Sequence, residues 1–174
     1  PVRMGMNTVV AANLSCLQQG VDFLQTLRAD HYRQVSKGVF NSTIGGHFRH
    51  NLDHYAAFLE GWEKGKIDYD ARGRDKAVET DPVVACERMR EQMAGLEGLG
   101  EADLDQPVAV RMDDGGDPAF SESSLRRELQ FLLSHTIHHY ALMVAIATRL
   151  GLGQFPEGFG VAPSTLRYEQ SRQH

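Results

Sequence analysis

The sequence predicts an all-α protein, a four-helix bundle, and three observations carry that prediction. Four stretches place apolar residues three and four positions apart, the repeat of one helix face. A long polar connection separates the second stretch from the third, as an antiparallel bundle allows. Only one short piece, "PVAVRMDDGGDPAF", alternates as a strand does.

The first helix is expected over Val9–Val35, with Leu14, Leu17, Val21, Leu24 and Leu27 on one face. Gly38 ends it, and "FNST" offers Asn41 or Ser42 as the N-cap of the second helix. That helix aligns Ile44, Phe48, Leu52, Tyr55, Leu59 and Trp62 and should stop near "EKGK". A polar connector, "KGKIDYDARGRDKAVET", leads to Asp81 and Pro82, a cap and a first helical residue for the third helix. Its apolar face holds Val83, Val84, Cys86, Met89, Met93 and Leu96, and "GLEGLG" terminates it. The β-like piece turns at Asp114-Gly115-Gly116, and the fourth helix follows Ser121–Ser124 and runs to Leu150, closed by Gly151. The tail "GQFPEGFGVAPSTLRYEQSRQH" reads as irregular. One domain is therefore expected over 1–174, with the bundle at about 9–151 and the tail at 152–174.

Composition narrows the class of function. Of 174 residues, 41% are hydrophobic and 24% charged, ordinary values for a globular chain large enough to bury a core. A net charge of −5 and a pI near 5.9 argue against a nucleic-acid surface, because a basic patch is missing. Arg72, Arg74 and Lys76 cluster, but Asp68, Asp70, Asp75 and Glu79 are interleaved with them. No apolar run in the sequence reaches the roughly 18–20 residues of a membrane span. Cys16 and Cys86 form no CxxC, which removes a cysteine zinc site and a thioredoxin-like motif and fits a reducing cytoplasm. Glycine-loop nucleotide motifs and GxSxG are absent.

The functional signal is histidine. Six of the eight fall in two short stretches, "GGHFRHNLDHY" (His47, His50, His54) and "SHTIHHYALM" (His135, His138, His139). Residues four apart on a helix project side by side. His50 with His54, and His135 with His139, are therefore two pairs able to share an ion if their helices face each other. Neutral imidazoles with an open position suit a catalytic divalent metal. None of the eleven glutamates precedes a histidine by three residues, which excludes the ferritin-like di-iron pattern, and HExxH is absent. His31 and His174 stand alone and read as surface residues.

"STIGGHFRH" followed at long range by "SHTIHHYAL" resembles the DinB-like (DinB/YfiT) family. A subgroup of that family carries similar "IGGHFRHxLDHY", "DYDxRxRDxxxET" and "FGVAPSTLRY" segments. The likeness runs from about Ala11 to Gly151. It implies a four-helix bundle with one metal on three histidines, which fall on His50, His135 and His139. Zinc or nickel is the first expectation for the ion and iron the next. The resemblance also implies activation of a thiol, as in the family's thiol-dependent S-transferases. The expected function is a metal-dependent transferase or hydrolase, with a non-catalytic metal- or ligand-binding bundle as the alternative. The expected partners are a small substrate, a low-molecular-weight thiol and a second copy of the chain. Neither nucleic acid nor membrane is expected.

His47 and His54 lie outside the implied ligand set and are expected to move protons, since imidazole titrates near neutral pH. Arg72 and Arg74 are candidates for an anionic substrate group, because guanidinium matches carboxylate with two parallel hydrogen bonds. Tyr168, in a tail whose Gly158, Gly160 and Pro163 fix its path, is a third substrate-binding candidate.

Overall fold

A computed structural model describes residues 8–38, 40–71 and 73–172. Its elements in chain order are α1 (Thr8–Thr26), α2 (Ala29–Arg33), α3 (Ile44–Gly61), β1 (Lys66–Asp68), α4 (Lys76–Thr80), α5 (Pro82–Glu97), β2 (Pro107–Arg111), β3 (Ser121–Ser124), α6 (Leu125–Arg149) and α7 (Pro163–Ser171). The four long helices form the bundle. α1 packs on α5 and α6, and α3 packs on the same two, so α1 and α3 lie diagonally opposite. This arrangement sets α3 directly against α6, the two helices that carry the histidines.

The helix starts follow local chemistry. Thr43 caps α3 by accepting a hydrogen bond from the Gly46 amide, Asp81 caps α5 with Pro82 at its first turn, and Ser124 caps α6. α3 thus begins one residue later than a Ser42 cap implies and two later than an Asn41 cap, and Ser42 is left to bond a histidine instead. Gly45 has to be glycine, since a β-carbon there would collide with the Glu79 carbonyl and the Tyr32 ring. Past Leu150, Gly151 turns the chain at φ +83°.

Three expectations need correction. The first helix does not run on to Val35; it stops at Thr26, and Arg28 is extended (φ −82°, ψ 148°) before α2. That break lets Tyr32 turn inward, where its hydroxyl donates to the Val78 carbonyl at 2.6 Å. The β-like piece is not the sole source of strand: the polar connector holds β1 and α4, and β1 joins a three-stranded sheet in the order β1-β2-β3. β1 pairs in parallel with β2 (Ile67 opposite Val110), and β2 pairs antiparallel with β3 (Val108 opposite Ser123). The tail is irregular only as far as Pro163, where α7 begins with proline at its first turn.

The core is built from Leu17 and Val21 of α1, Phe48, Leu52 and Phe58 of α3, Met89 and Leu96 of α5, and Leu129, Leu132 and Met143 of α6, all at most 2% exposed. Some of its polar groups are matched, while the Asn51 side chain on α3 and the Thr136 hydroxyl on α6 are buried with no hydrogen-bond partner among the described residues. Asn13 donates to the carbonyls of Val9 (2.8 Å) and Leu129 (3.0 Å) and accepts from the Tyr55 hydroxyl (2.7 Å). Tyr140 donates to the Cys16 carbonyl at 3.0 Å, tying α6 to α1. Cys16 and Cys86 are free and buried, and burial pushes the Cys16 thiol up to about 12. α6 is long and apolar enough, by length and composition, to cross a membrane. Its Leu125, Leu129, Leu132, Tyr140, Met143, Ile146 and Ala147 are instead buried in the bundle.

Candidate metal centre

α3 contributes His47, His50 and His54 to the seam with α6, and α6 contributes His135 and His139. Their rings form a continuous cluster. The His50 centroid lies 4.5 Å from that of His54, 4.9 Å from His135 and 4.5 Å from His139, and His135 and His139 are 4.6 Å apart. His47 lies 9% exposed at one end, 5.1 Å from His139, and His54 lies 5% exposed at the other, 4.3 Å from His135. His138 is exposed at the rim, edge-on to His139 at 5.4 Å.

The nitrogens are directed at one another. His50 Nε2 and His135 Nε2 are 3.0 Å apart. Two imidazoles on one tetrahedral ion, each bonded at about 2.0–2.1 Å, have nitrogens about 3.3 Å apart. The pair therefore fits a shared ion with a shift of a few tenths of an ångström. His50, His54 and His135 each offer a nitrogen within 4.8 Å of the other two. The His54 Nδ1–H donates to the His50 carbonyl at 2.8 Å, which fixes the tautomer and leaves Nε2 with a lone pair. The His139 Nδ1 sits 2.8 Å from His47 Nδ1, and the far nitrogen of His47 sits 2.9 Å from the Ser42 hydroxyl.

The electrostatics favour the neutral form of His139 and His47, the form a metal requires. Burial, and then the neighbouring His135, His47 and His138, hold His139 down to about 3. Burial and His138 also lower His47. The far wall is aromatic: Tyr69 stacks on His54 at 5.4 Å, and Phe131 lies 5.4 Å from His135. Behind them the Tyr69 hydroxyl and the Ser123 hydroxyl donate to the two oxygens of Glu128, at 2.9 and 2.7 Å.

The structure thus brings together His47, His50, His54, His135 and His139. It does not bring Tyr168 to them. Tyr168 is 61% exposed on α7, with its ring toward Arg172. Ser164 and Arg167 of the same helix line a cavity with Gln130 and Leu133. Leu133 lies about 160° around α6 from His135, on the far side of that helix. Arg74 is exposed in the loop after β1 at φ +48°, and Arg72 lies outside the described residues, as does His174. Sequence reading passed over Tyr69 and Glu128. The available signal was that Glu128 stands seven residues before His135, on the same helix face.

No family model matches the chain. It is 30% identical over 173 residues to FK506-binding protein 5 of Rhizopus delemar, a match that takes in 96% of this chain and 38% of that protein. The chain therefore spans little more than a third of that relative's length. Among solved structures, a DinB-like protein from Bacillus subtilis superposes with a TM-score of 0.67, over 88% of this chain and 99% of that one, at 20% identity. The chain has the DinB-like fold, the one its histidine motifs resemble.

Proposed function

We propose that this protein is a metal-dependent enzyme of the thiol S-transferase or hydrolase type, built on one divalent ion held by imidazoles between α3 and α6. The observation that carries the reading is the His50–His135 pair, 3.0 Å apart, with His54 and His139 beside it. His50 and His135 are two of the ligands. The resemblance assigns the third to His139, while the 4.8 Å grouping of nitrogens favours His54. Zinc or nickel suits an all-imidazole set, with iron next, because imidazole binds each of them. Such an ion lowers the pKa of a thiol or water at its open position.

The chain's own residues supply the rest. His47, neutral at pH 7 and hydrogen-bonded to both Ser42 and His139, accepts and returns the proton. Cys16 and Cys86 are both buried, on α1 and α5 rather than on the helices of the histidine seam, so the thiol comes from a small molecule outside the chain. Arg72 and Arg74 are the candidates to meet an anionic substrate group, since guanidinium pairs with carboxylate through two parallel hydrogen bonds. We place the protein in the cytoplasm as a homodimer. A non-catalytic metal- or ligand-binding bundle is the second reading, favoured by the presence of both His54 and His139 beside the His50–His135 pair, since four imidazoles would leave no open position.

The test is metal content per chain after reconstitution, measured by mass spectrometry. About one equivalent is expected in the wild type and none in His50→Ala or His135→Ala. Loss in His139→Ala but not in His54→Ala selects the third ligand, or the reverse does. A wild type that takes up no metal overturns the reading. Loaded protein that leaves electrophilic substrates unchanged across a panel of small thiols, and hydrolyses none, selects the binding protein.

A further inference from the structure

A cavity of about 420 Å³ opens between the β2–β3 pair and the first turns of α6, on the other side of Phe131 from the histidines. Val110, Met112 and Ala119 give it an apolar side, and Arg127, Glu128 and Phe131 close it from α6. Its size is that of a small-molecule site. Glu128 is the unusual member: it is 7% exposed, yet both hydrogen bonds it accepts come from neutral hydroxyls, Ser123 and Tyr69. A carboxylate has about four acceptor positions, so two remain for a ligand. Glu128 has no ion pair among the described residues, a costly state for a buried carboxylate, and a cationic ligand removes that cost. Asp114 and Glu122 at the rim outweigh Arg127, which makes the mouth net negative. The Phe131 ring adds an aromatic face, a second element that attracts a cation.

We propose that this cavity binds an organic cation, a primary or quaternary ammonium on a short apolar body, with the charge on Glu128 and the body against Phe131, Met112 and Val110. That the cation is the substrate of the metal centre rests on the function proposed above. Glu128 and His135 are seven residues apart on one face of α6, about 10 Å along its axis. A substrate anchored at Glu128 whose reacting end passes Phe131 to reach His135 has to span that length. Phe131, half-buried and also 6.2 Å from His54, is the partition it passes.

The test uses the whole chain, metal-free and metal-loaded, titrated with phenethylammonium, its neutral alcohol and the matching carboxylate, 3-phenylpropionate, and followed by calorimetry. Saturable binding of the ammonium is expected, at least tenfold tighter than either of the other two. Glu128→Gln should weaken it tenfold or more. Because Glu128 supports Tyr69 and Ser123, a second variant is needed: Ala119→Trp, at the exposed rim, fills the cavity without touching those bonds. It should abolish binding with the fold intact by circular dichroism and the metal content unchanged. No saturable binding of the ammonium to the wild type overturns the proposal, as does equal affinity for alcohol and ammonium or undiminished binding in Ala119→Trp. Ammonium binding by a chain that takes up no metal sustains the cavity and removes only the metal reading.

Discussion

The two sides of the bundle treat buried polarity in opposite ways. Between α1 and its neighbours unlike groups are paired: Asn13 uses both amide hydrogens and its carbonyl, and Tyr55 and Tyr140 each reach an oxygen. Between α3 and α6, like faces like, with His50 Nε2 against His135 Nε2 and His47 Nδ1 against His139 Nδ1. One proton can satisfy each such pair, and further charge is opposed, as burial first and then the neighbouring histidines lower His139. The first side is arranged for stability. The second gives up some stability to hold lone pairs together, a pattern expected where a protein binds something.

Metal is the strongest way to break this contrast. Adding the ion at about a thousand times its Kd should stabilise the fold by about 4 kcal/mol, read as a rise in Tm that a chelator reverses. Unchanged melting in zinc, nickel and iron would make the seam as inert as the α1 side. Asn13→Ala comes next: it strands the Tyr55 hydroxyl and the Leu129 carbonyl, and urea unfolding should show a loss of about 2–3 kcal/mol with metal stoichiometry intact.

The pH dependence of the metal-free protein gives a smaller effect. An unfolded histidine takes a proton near 6.5 and His139 in the fold only near about 3, so between those values the unfolded state binds more protons. Stability should therefore be full above about 6.5 and fall as the pH drops toward 3, and His139→Asn should flatten that slope in urea titrations at successive pH values. Smallest of all is Tyr168→Ala. On an exposed helix facing Arg172 it should change neither metal content nor stability beyond about 0.5 kcal/mol, and a larger loss of thiol-dependent turnover would return it to the site.

What sequence could reveal tracks the length of the signal. α3, α5 and α6 repeat their apolar faces over several turns, and Asp81-Pro82 and Ser124 mark starts that the structure keeps. β1 is three residues with Ile67 alone buried, too short to alternate, and it is a strand because β2 lies beside it. α7 follows a run of glycine and proline that reads as coil. The histidine seam was legible because i, i+4 spacing is a property of the helix itself. Its division into a His50–His54–His135 group and a His47–His139 pair was not, since that depends on how α3 and α6 are turned against each other.

That mutual orientation leads back to the tail. Gly160 sits at φ +76°, and a β-carbon there would come within 2.8–2.9 Å of the Ala141 backbone. Phe159 stacks on Tyr140 at 4.3 Å just beside it. Ala141 is two residues beyond His139, so the tail bears on α6 like a stop against a shaft, at the level of the histidines. The azimuth at which α6 presents His135 and His139 to α3 is thus set in part by a segment some twenty residues downstream, which itself carries no ligand.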